Sequence, residues 1–249
     1  MQGTPVTVPT PDGTVDAYLA RPEGSSAPHP AVLMYMDAFG LRPHLKRMAD
    51  RLASAGYTVL VPNVFYRHSP APVVELPDFI NPAERPEIFQ SLRPAAVTLT
   101  PQAAMRDAGV YLDWLADSPL TVDGPVGVTG YCMGAGLALR TAGTYPDRVA
   151  AAAGFHGAYL ATDAPDSPHL VADRITAELY FGHADQDSTN PAEQIDRLDK
   201  ALAAAGVRHR GEVYPGAHHG FTQADTAMYD AEATERHWAA LLELLGRTL

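Results

Sequence analysis

Residues 125–136 read Pro-Val-Gly-Val-Thr-Gly-Tyr-Cys-Met-Gly-Ala-Gly and contain Cys132, the only cysteine of the chain. The apolar start of this stretch predicts a short strand, residues 130–134 a tight turn, and residues 135–145 a helix. A Gly-x-Cys-x-Gly pattern between a strand and a helix matches the nucleophile elbow, with cysteine in place of the usual serine. The glycines leave the space that so sharp a turn needs beside the nucleophile.

The predicted turn has a chemical consequence for Cys132. It would hold the sulfur at the carboxyl edge of a sheet, next to the first free N–H groups of a helix. Those N–H groups and the helix dipole favour the thiolate over the thiol. The alternative is a buried structural cysteine beside a glycine-rich turn, and two further motifs described below favour the nucleophile.

Composition limits the classes of function. The chain has 249 residues, of which 46% are hydrophobic, and a net charge of −11. That is enough for one core, so we expect residues 1–249 to form a single domain. The negative charge argues against nucleic acid or an anionic membrane as a partner. With one cysteine, no membrane-length apolar run and no signal-like N-terminal residues, the sequence favours a cytoplasmic protein.

Strands and helices alternate along the predicted chain. A hairpin at 6–8 and 15–19 turns at Pro11-Asp12-Gly13. Further strands are predicted at 31–36, 57–61, 125–129, 149–155, 178–181 and 212–214, with helices at 43–55, 102–116, 135–145, 191–205 and 229–245. This alternation predicts an α/β fold with a doubly wound, mostly parallel sheet and helices on both faces.

Residues 62–101 interrupt the alternation with eight prolines and no long periodic element. Connections of this length are usually lids or binding loops. The segment lies between a strand and a helix, on the side where such sheets bind ligands. We therefore expect a lid or a pocket wall, and the alternative is a surface excursion that covers an edge of the sheet.

Candidates for a base and an acid follow later strands. One loop offers Asp185 and Asp187, and a later loop offers His218 and His219. A thiolate nucleophile needs a base that holds its proton and a third group that orients the base. The order nucleophile, acid, histidine is the one that α/β-hydrolases use. Because each loop follows a parallel strand, all three should converge near Cys132.

Some of these polar residues have structural roles in either interpretation. An aspartate in a strand-to-helix loop is often only a helix cap, which fits whichever aspartate is not catalytic. One of the two adjacent histidines is expected to lie at the surface. His156 and His183 are candidates to line the pocket, as is Tyr131 beside the nucleophile. The histidines lack a spacing that indicates a metal site.

With these motifs in view, the chain resembles the dienelactone hydrolase family, α/β-hydrolases with a Cys-His-Asp triad. The resemblance covers essentially the whole chain. It rests on Met36-Asp-Ala-Phe-Gly40, Gly130-Tyr-Cys-Met-Gly134, Gly182-His-Ala-Asp-Gln-Asp187 followed by Pro191, and Tyr214-Pro-Gly-Ala-His-His-Gly-Phe221. It implies an α/β-hydrolase fold and hydrolysis of carboxylic esters or lactones.

The resemblance also implies roles for individual residues. The catalytic histidine of the family stands before a small residue and Phe, which matches His219. Its catalytic aspartate stands four residues before a proline, which matches Asp187, and Asp185 remains the second choice. The oxyanion hole would use the N–H groups of Met133 and Ala38.

Two departures from the family pattern concern the substrate. Members that open cyclic dienelactones carry a glutamate, thought to help form the thiolate, where this chain has Asp37. They also carry a carboxylate-binding arginine where this chain has Gln223, and only Arg85 and Arg93 are candidates for a second arginine. Because a carboxylate is best held by an arginine fork, we expect small anionic lactones to be poorer substrates here than neutral or larger esters.

The resulting hypothesis is an ester or lactone hydrolase, similar to a carboxymethylenebutenolidase, with a thioester intermediate on Cys132. His219 would carry the proton and Asp187 would fix its tautomer. No cofactor or metal is implied, and the expected partner is a small-molecule ester or lactone bound by a monomer or small homo-oligomer. The alternatives are a thioesterase or acyltransferase on the same fold, or a non-catalytic binding protein.

Overall fold

The structure, a computed structural model, describes residues 3–249. In this part of the chain eight strands form one sheet, in the spatial order β1-β2-β4-β3-β5-β6-β7-β8. The strands are β1 (Thr4–Thr10), β2 (Gly13–Ala20), β3 (Ala31–Tyr35), β4 (Thr58–Pro62), β5 (Val126–Tyr131), β6 (Val149–Phe155), β7 (Glu178–Gln186) and β8 (His209–His218).

The sheet is mostly parallel. The hairpin β1–β2 is antiparallel and joins β4 in antiparallel register, while every other neighbouring pair is parallel. All residues of β3 and β4 are buried, as expected for apolar strands covered on both faces. The predicted doubly wound α/β sheet is confirmed.

Helices cover both faces. They are α1 (Pro43–Ser54), α2 (Glu87–Ala96), α3 (Pro101–Ala116), α4 (Met133–Thr144), α5 (Ala192–Ala204) and α6 (Ala231–Thr248), with a 3-10 helix at Pro168–Arg174. On one face, α1 and α6 are joined by the ion pair between Arg51 and Glu235, 2.7 Å apart. On the other, α3 and α4 pack together against the central strands. The main core lies between these layers and the sheet.

The segment 62–101 contains α2, which the sequence pattern did not predict. Its buried residues Ile88, Leu92 and Ala95 follow a helical spacing. Two of them pack with Phe39 and Ile80 in a small cluster apart from the main core. Pro94 lies inside this helix. Because a proline usually ends a helix, the sequence around it did not indicate one. The expectation of no long periodic element in this segment is therefore wrong.

The outer strands are longer than predicted. The strand expected at 212–214 is β8, and the one expected at 178–181 is β7, which continues to Gln186. As the edge strand, β8 has many exposed positions and tolerates Pro215 and Gly216, so its sequence lacks an apolar run. Because both strands are extended, the loops that carry the candidate acid and base begin directly at the carboxyl ends of β7 and β8.

Within residues 3–249, no helix combines the length and the apolar character needed to span a bilayer. The same residues contain no group of three or more His, Cys, Asp or Glu side chains placed to hold a metal ion.

Candidate active site

Cys132 lies in a strained turn between β5 and α4. Its φ of 55° and ψ of −118° are unusual for a residue with a side chain, and such strain is common at functional sites. Its N–H donates to the carbonyl of Phe155 at 3.1 Å. A Cβ atom at Gly130 would overlap the carbonyl of Gly134, and one at Gly134 would lie 2.6 Å from the Met36 oxygen. The turn therefore requires both glycines.

Three side chains from three loops meet at this turn. His219, directly after β8, places Nδ1 2.6 Å from Oδ2 of Asp187, directly after β7. The backbone N–H and hydroxyl of Thr189 donate to the other carboxylate oxygen at 2.8 and 2.7 Å. The His219 ring also interacts with the Cys132 side chain. The arrangement is a continuous chain from carboxylate to imidazole to sulfur.

The groups around His219 favour an ion pair between its imidazole and the Asp187 carboxylate. Burial lowers the pKa of His219, but the Cys132 sulfur and the Asp187 carboxylate oppose that effect and raise it to about 10. Burial raises the pKa of Asp187, but the hydrogen bond and charge of His219 and the hydrogen bonds from Thr189 together outweigh burial and lower the pKa below the usual value. At neutral pH the raised pKa keeps the imidazole protonated beside the Asp187 carboxylate.

The alternative acid and base lie elsewhere. Asp185 is exposed, and its Oδ2 accepts hydrogen bonds from the Gly216 N–H at 3.0 Å and from Gln186 at 3.3 Å. His218 is exposed at the end of β8. Among the residues described, the structure thus brings Asp187 to His219, and Asp185 serves the turn of β8.

The expected oxyanion donors share a cavity with Cys132 and His219. Met133 is the first residue of α4, where a helix leaves N–H groups free, and Ala38 lies in the loop after β3. The loop is fixed by Asp37, whose carboxylate accepts from the Phe39 N–H at 2.9 Å. Both N–H groups therefore belong to rigid elements at the rim of the site.

Asp37 and Gln223 belong to a buried network that the sequence analysis missed. Nη1 of Arg42 donates to both oxygens of Asp37 at 2.7 and 2.9 Å, and Nε2 of Gln223 donates to one of them at 2.8 Å. Nε and Nη2 of Arg42 reach Asp225 at 2.7 and 3.1 Å. The carboxylate of Asp37 is therefore engaged by Arg42 and Gln223, and within residues 3–249 it forms no hydrogen bond with Cys132. That Asp37 helps to form the thiolate, as the resemblance implies, stays a prediction.

Tyr131 lies in the core instead of on the pocket wall. Its hydroxyl is 3.0 Å from Nε2 of His237 on α6, and its ring stacks on Phe155. Successive strand residues face opposite sides of a sheet, so the side chain next to Cys132 points away from the site. The expectation that Tyr131 lines the substrate pocket is corrected here.

His156 packs against the candidate base, His219. Its ring packs edge-on against His219, with centroids 5.3 Å apart, and its Nε2 is 2.7 Å from the Thr222 hydroxyl. Burial and the nearby His219 keep its pKa well below the usual value, so it is neutral. His183 lines a different cavity, under α5, and burial lowers its pKa to about 4. Of these two histidines, His156 is the one that contacts His219.

The cavity above Cys132 has a volume of about 640 Å³. Its wall is mostly apolar and includes Phe89, so α2 in the 62–101 segment supplies one wall residue. It also includes Arg140, a cation that the sequence analysis missed although it follows Cys132 on the same helix. The other lining residues are Ala38, Met133, Gly136, Leu137, Ala158, Tyr159, Thr162, Ala164, Asp166, Ser167, Pro168, Thr189 and His219. Arg85 and Arg93, both exposed, are not among the described lining residues.

Comparison with known proteins agrees with this architecture. The model of the dienelactone hydrolase family matches residues 15–249. Two relatives, from Synechocystis sp. and Escherichia coli (strain K12), are both described as "Putative carboxymethylenebutenolidase". The first is 26% identical over 249 residues, covering 99% of this chain and 97% of the relative. The second is 27% identical over 240 residues, covering 95% and 83%.

A solved structure shows the same fold. The crystal structure described as "Putative Dienelactone Hydrolase from Klebsiella pneumoniae" matches with a TM-score of 0.85 at 22% identity, over 98% of each chain. The predicted α/β-hydrolase fold is thus confirmed. Because the family model spans nearly all of the sequence and the fold agrees, the chain belongs to the dienelactone hydrolase family.

Proposed function

We propose that the protein hydrolyses carboxylic esters or lactones through a cysteine nucleophile. The observation that carries the proposal is the chain of contacts from Asp187 through His219 to Cys132, at the wall of a 640 Å³ cavity. Two relatives are described as "Putative carboxymethylenebutenolidase", and that description supports the same reaction class.

Acylation begins with the thiolate of Cys132. The sulfur attacks the carbonyl carbon, a C–S bond forms, and the π electrons move to the carbonyl oxygen. The N–H groups of Met133 and Ala38 stabilise that oxyanion, each donor contributing about 3–4 kcal/mol in comparable sites. The tetrahedral adduct then expels the alkoxide, which takes the proton from His219 and leaves as an alcohol.

Deacylation uses the same residues. His219, now neutral, takes a proton from a water molecule as the oxygen attacks the thioester carbonyl. The C–S bond breaks, the electron pair returns to the sulfur, and the carboxylic acid leaves. Asp187 holds Nδ1–H throughout, so that Nε2 faces the reaction. Because a thiolate leaves a tetrahedral adduct more easily than an amine does, esters and lactones are favoured over amides.

A panel of acyl substrates tests the proposal. Aryl esters, lactones, thioesters and anilides are assayed with the purified wild type and with Cys132→Ser. We expect hydrolysis of esters or lactones that depends on Cys132, with anilides inert. Activity on thioesters alone, or acyl transfer to added alcohols ahead of hydrolysis, would favour the thioesterase or acyltransferase alternative. Wild-type protein without activity in the panel would contradict the proposal.

The acid is tested by a matched pair of variants. Asp187→Asn is expected to leave the protein folded and to lower kcat roughly ten-thousandfold, because the amide no longer favours the productive tautomer of His219. Removing the acid of a triad usually lowers kcat less than removing its nucleophile or its base. Asp185→Asn removes an exposed carboxylate from the neighbouring loop and should change kcat little. If the second variant were the slower, the two roles would have to be exchanged.

A further inference from the structure

One cation faces the cavity above Cys132 from the helix that begins at the elbow. Met133, Gly136, Leu137 and Arg140 all line that cavity, and their spacing of three or four residues forms one stripe along α4. Arg140 is eight positions after Cys132, a rise of about 12 Å along the helix axis. Arg140 therefore lies at the far end of the wall that starts at the nucleophile.

The guanidinium of Arg140 is partly buried and lacks a carboxylate partner. Its Nη2 donates to the backbone carbonyl of Asp166, and within residues 3–249 none of its nitrogens forms an ion pair. By contrast, Arg42, which is buried, is held by two carboxylates. Burial lowers the pKa of Arg140, which the charge of Asp166 partly opposes. Of five N–H donors, most remain available to a ligand.

Most of the remaining wall is apolar. Ala38, Phe89, Leu137, Ala158 and Pro168 supply much of the lining between the nucleophile and Arg140. Met133, Leu137 and Arg140 also border a smaller cavity of about 240 Å³, which is lined by further apolar residues. A ligand that packs against the apolar lining and also binds the Arg140 guanidinium has an apolar chain that ends in an anion.

We infer that Arg140 determines specificity by binding a carboxylate at the far end of the substrate, while the ester carbonyl lies at Cys132. This inference rests on the proposed function. An arginine fork binds a carboxylate through two parallel hydrogen bonds, and an apolar surrounding strengthens them. A carboxylate close to the scissile bond, as in a small lactone, does not reach Arg140. The favoured substrate is an extended ester of amphipathic character.

The experiment compares matched pairs of esters, each with a free terminal carboxylate or its methyl ester. One series carries the carboxylate on the acyl chain, as p-nitrophenyl half-esters of succinate, adipate and suberate. A second series carries it on the alcohol chain. The measured quantity is the ratio of kcat/KM for the acid to that for the methylated partner, at two salt concentrations. The methylated partner also reports whether each variant is folded and active.

For the wild type, the ratio should rise with chain length in one of the two series: from the succinate to the suberate pair, or from the shortest to the longest alcohol chain. Arg140→Gln should lower the ratio of the best pair by about ten- to a hundredfold, the cost of a lost charge-assisted contact. Arg140→Lys should give an intermediate value, because a lysine keeps the charge without the fork. Asp166→Asn removes a competing charge and should raise the ratio by up to about fivefold.

Arg93→Gln is the control, because Arg93 is exposed and absent from the lining described above; it should keep the wild-type ratio. A ratio independent of chain length in both series, or unchanged in Arg140→Gln, would overturn the inference. Loss of the preference in Arg93→Gln would assign the clamp to the 62–101 segment instead. Hydrolysis of the methylated esters separates these outcomes from failure of the proposed function, in which no ester of either kind would react.

Discussion

Replacing Cys132 by alanine should lower kcat for ester hydrolysis by about a millionfold, to the rate left by binding and the oxyanion donors. The sulfur is the only thiol of the chain and contacts the proposed base. Iodoacetamide should likewise abolish wild-type activity with one adduct per chain, at Cys132, as mass spectrometry would show. Full activity in a completely alkylated sample would exclude the cysteine as nucleophile.

The same variant offers a second readout that does not depend on turnover. The charge of the Cys132 sulfur opposes the effect of burial on His219 and helps to raise its pKa to about 10. In Cys132→Ala, an NMR titration of the imidazole should therefore give a lower value than in the wild type. An unchanged pKa would show that the sulfur and the imidazole do not form an ion pair.

His219→Ala should lower kcat by at least about a thousandfold, because the base carries the proton in both half-reactions. His218→Ala is the matched control: it removes the adjacent imidazole, which is exposed at the end of β8 and lies outside the contact chain. It should cost far less. Initial rates on a single aryl ester, with circular dichroism to verify folding, measure both. The reverse ranking would move the base to His218.

The nucleophile elbow could be predicted because its determinants are local. The glycines on either side of Cys132 are needed by the turn itself, and the following helix is visible in the sequence. The order of the loops carrying Asp187 and His219 could also be read, since parallel strands bring their carboxyl ends to one edge. The choice between Asp185 and Asp187 required the family pattern. The two aspartates lie in the same loop, and the sequence alone does not show which side chain points toward His219.

The residues that sequence reasoning missed depend on tertiary contacts. Arg42 is five residues from Asp37, but its second partner, Asp225, is far along the chain. Arg140 carries no motif, and only the orientation of α4 places it in the cavity. The helix around Pro94 was missed because its burial against Phe39, rather than its helix propensity, stabilises it.

The bridge between Asp37, Arg42 and Gln223 has a consequence for how this chain can diverge from its relatives. The resemblance places a carboxylate-binding arginine where this chain has Gln223, but here Arg42 already takes both oxygens of Asp37. A guanidinium introduced at position 223 would meet a satisfied carboxylate and a like charge beside it. We therefore expect substitutions at positions 42 and 223 to be coupled, so that Gln223→Arg costs less stability when Arg42 is replaced as well, which a double-mutant cycle would measure.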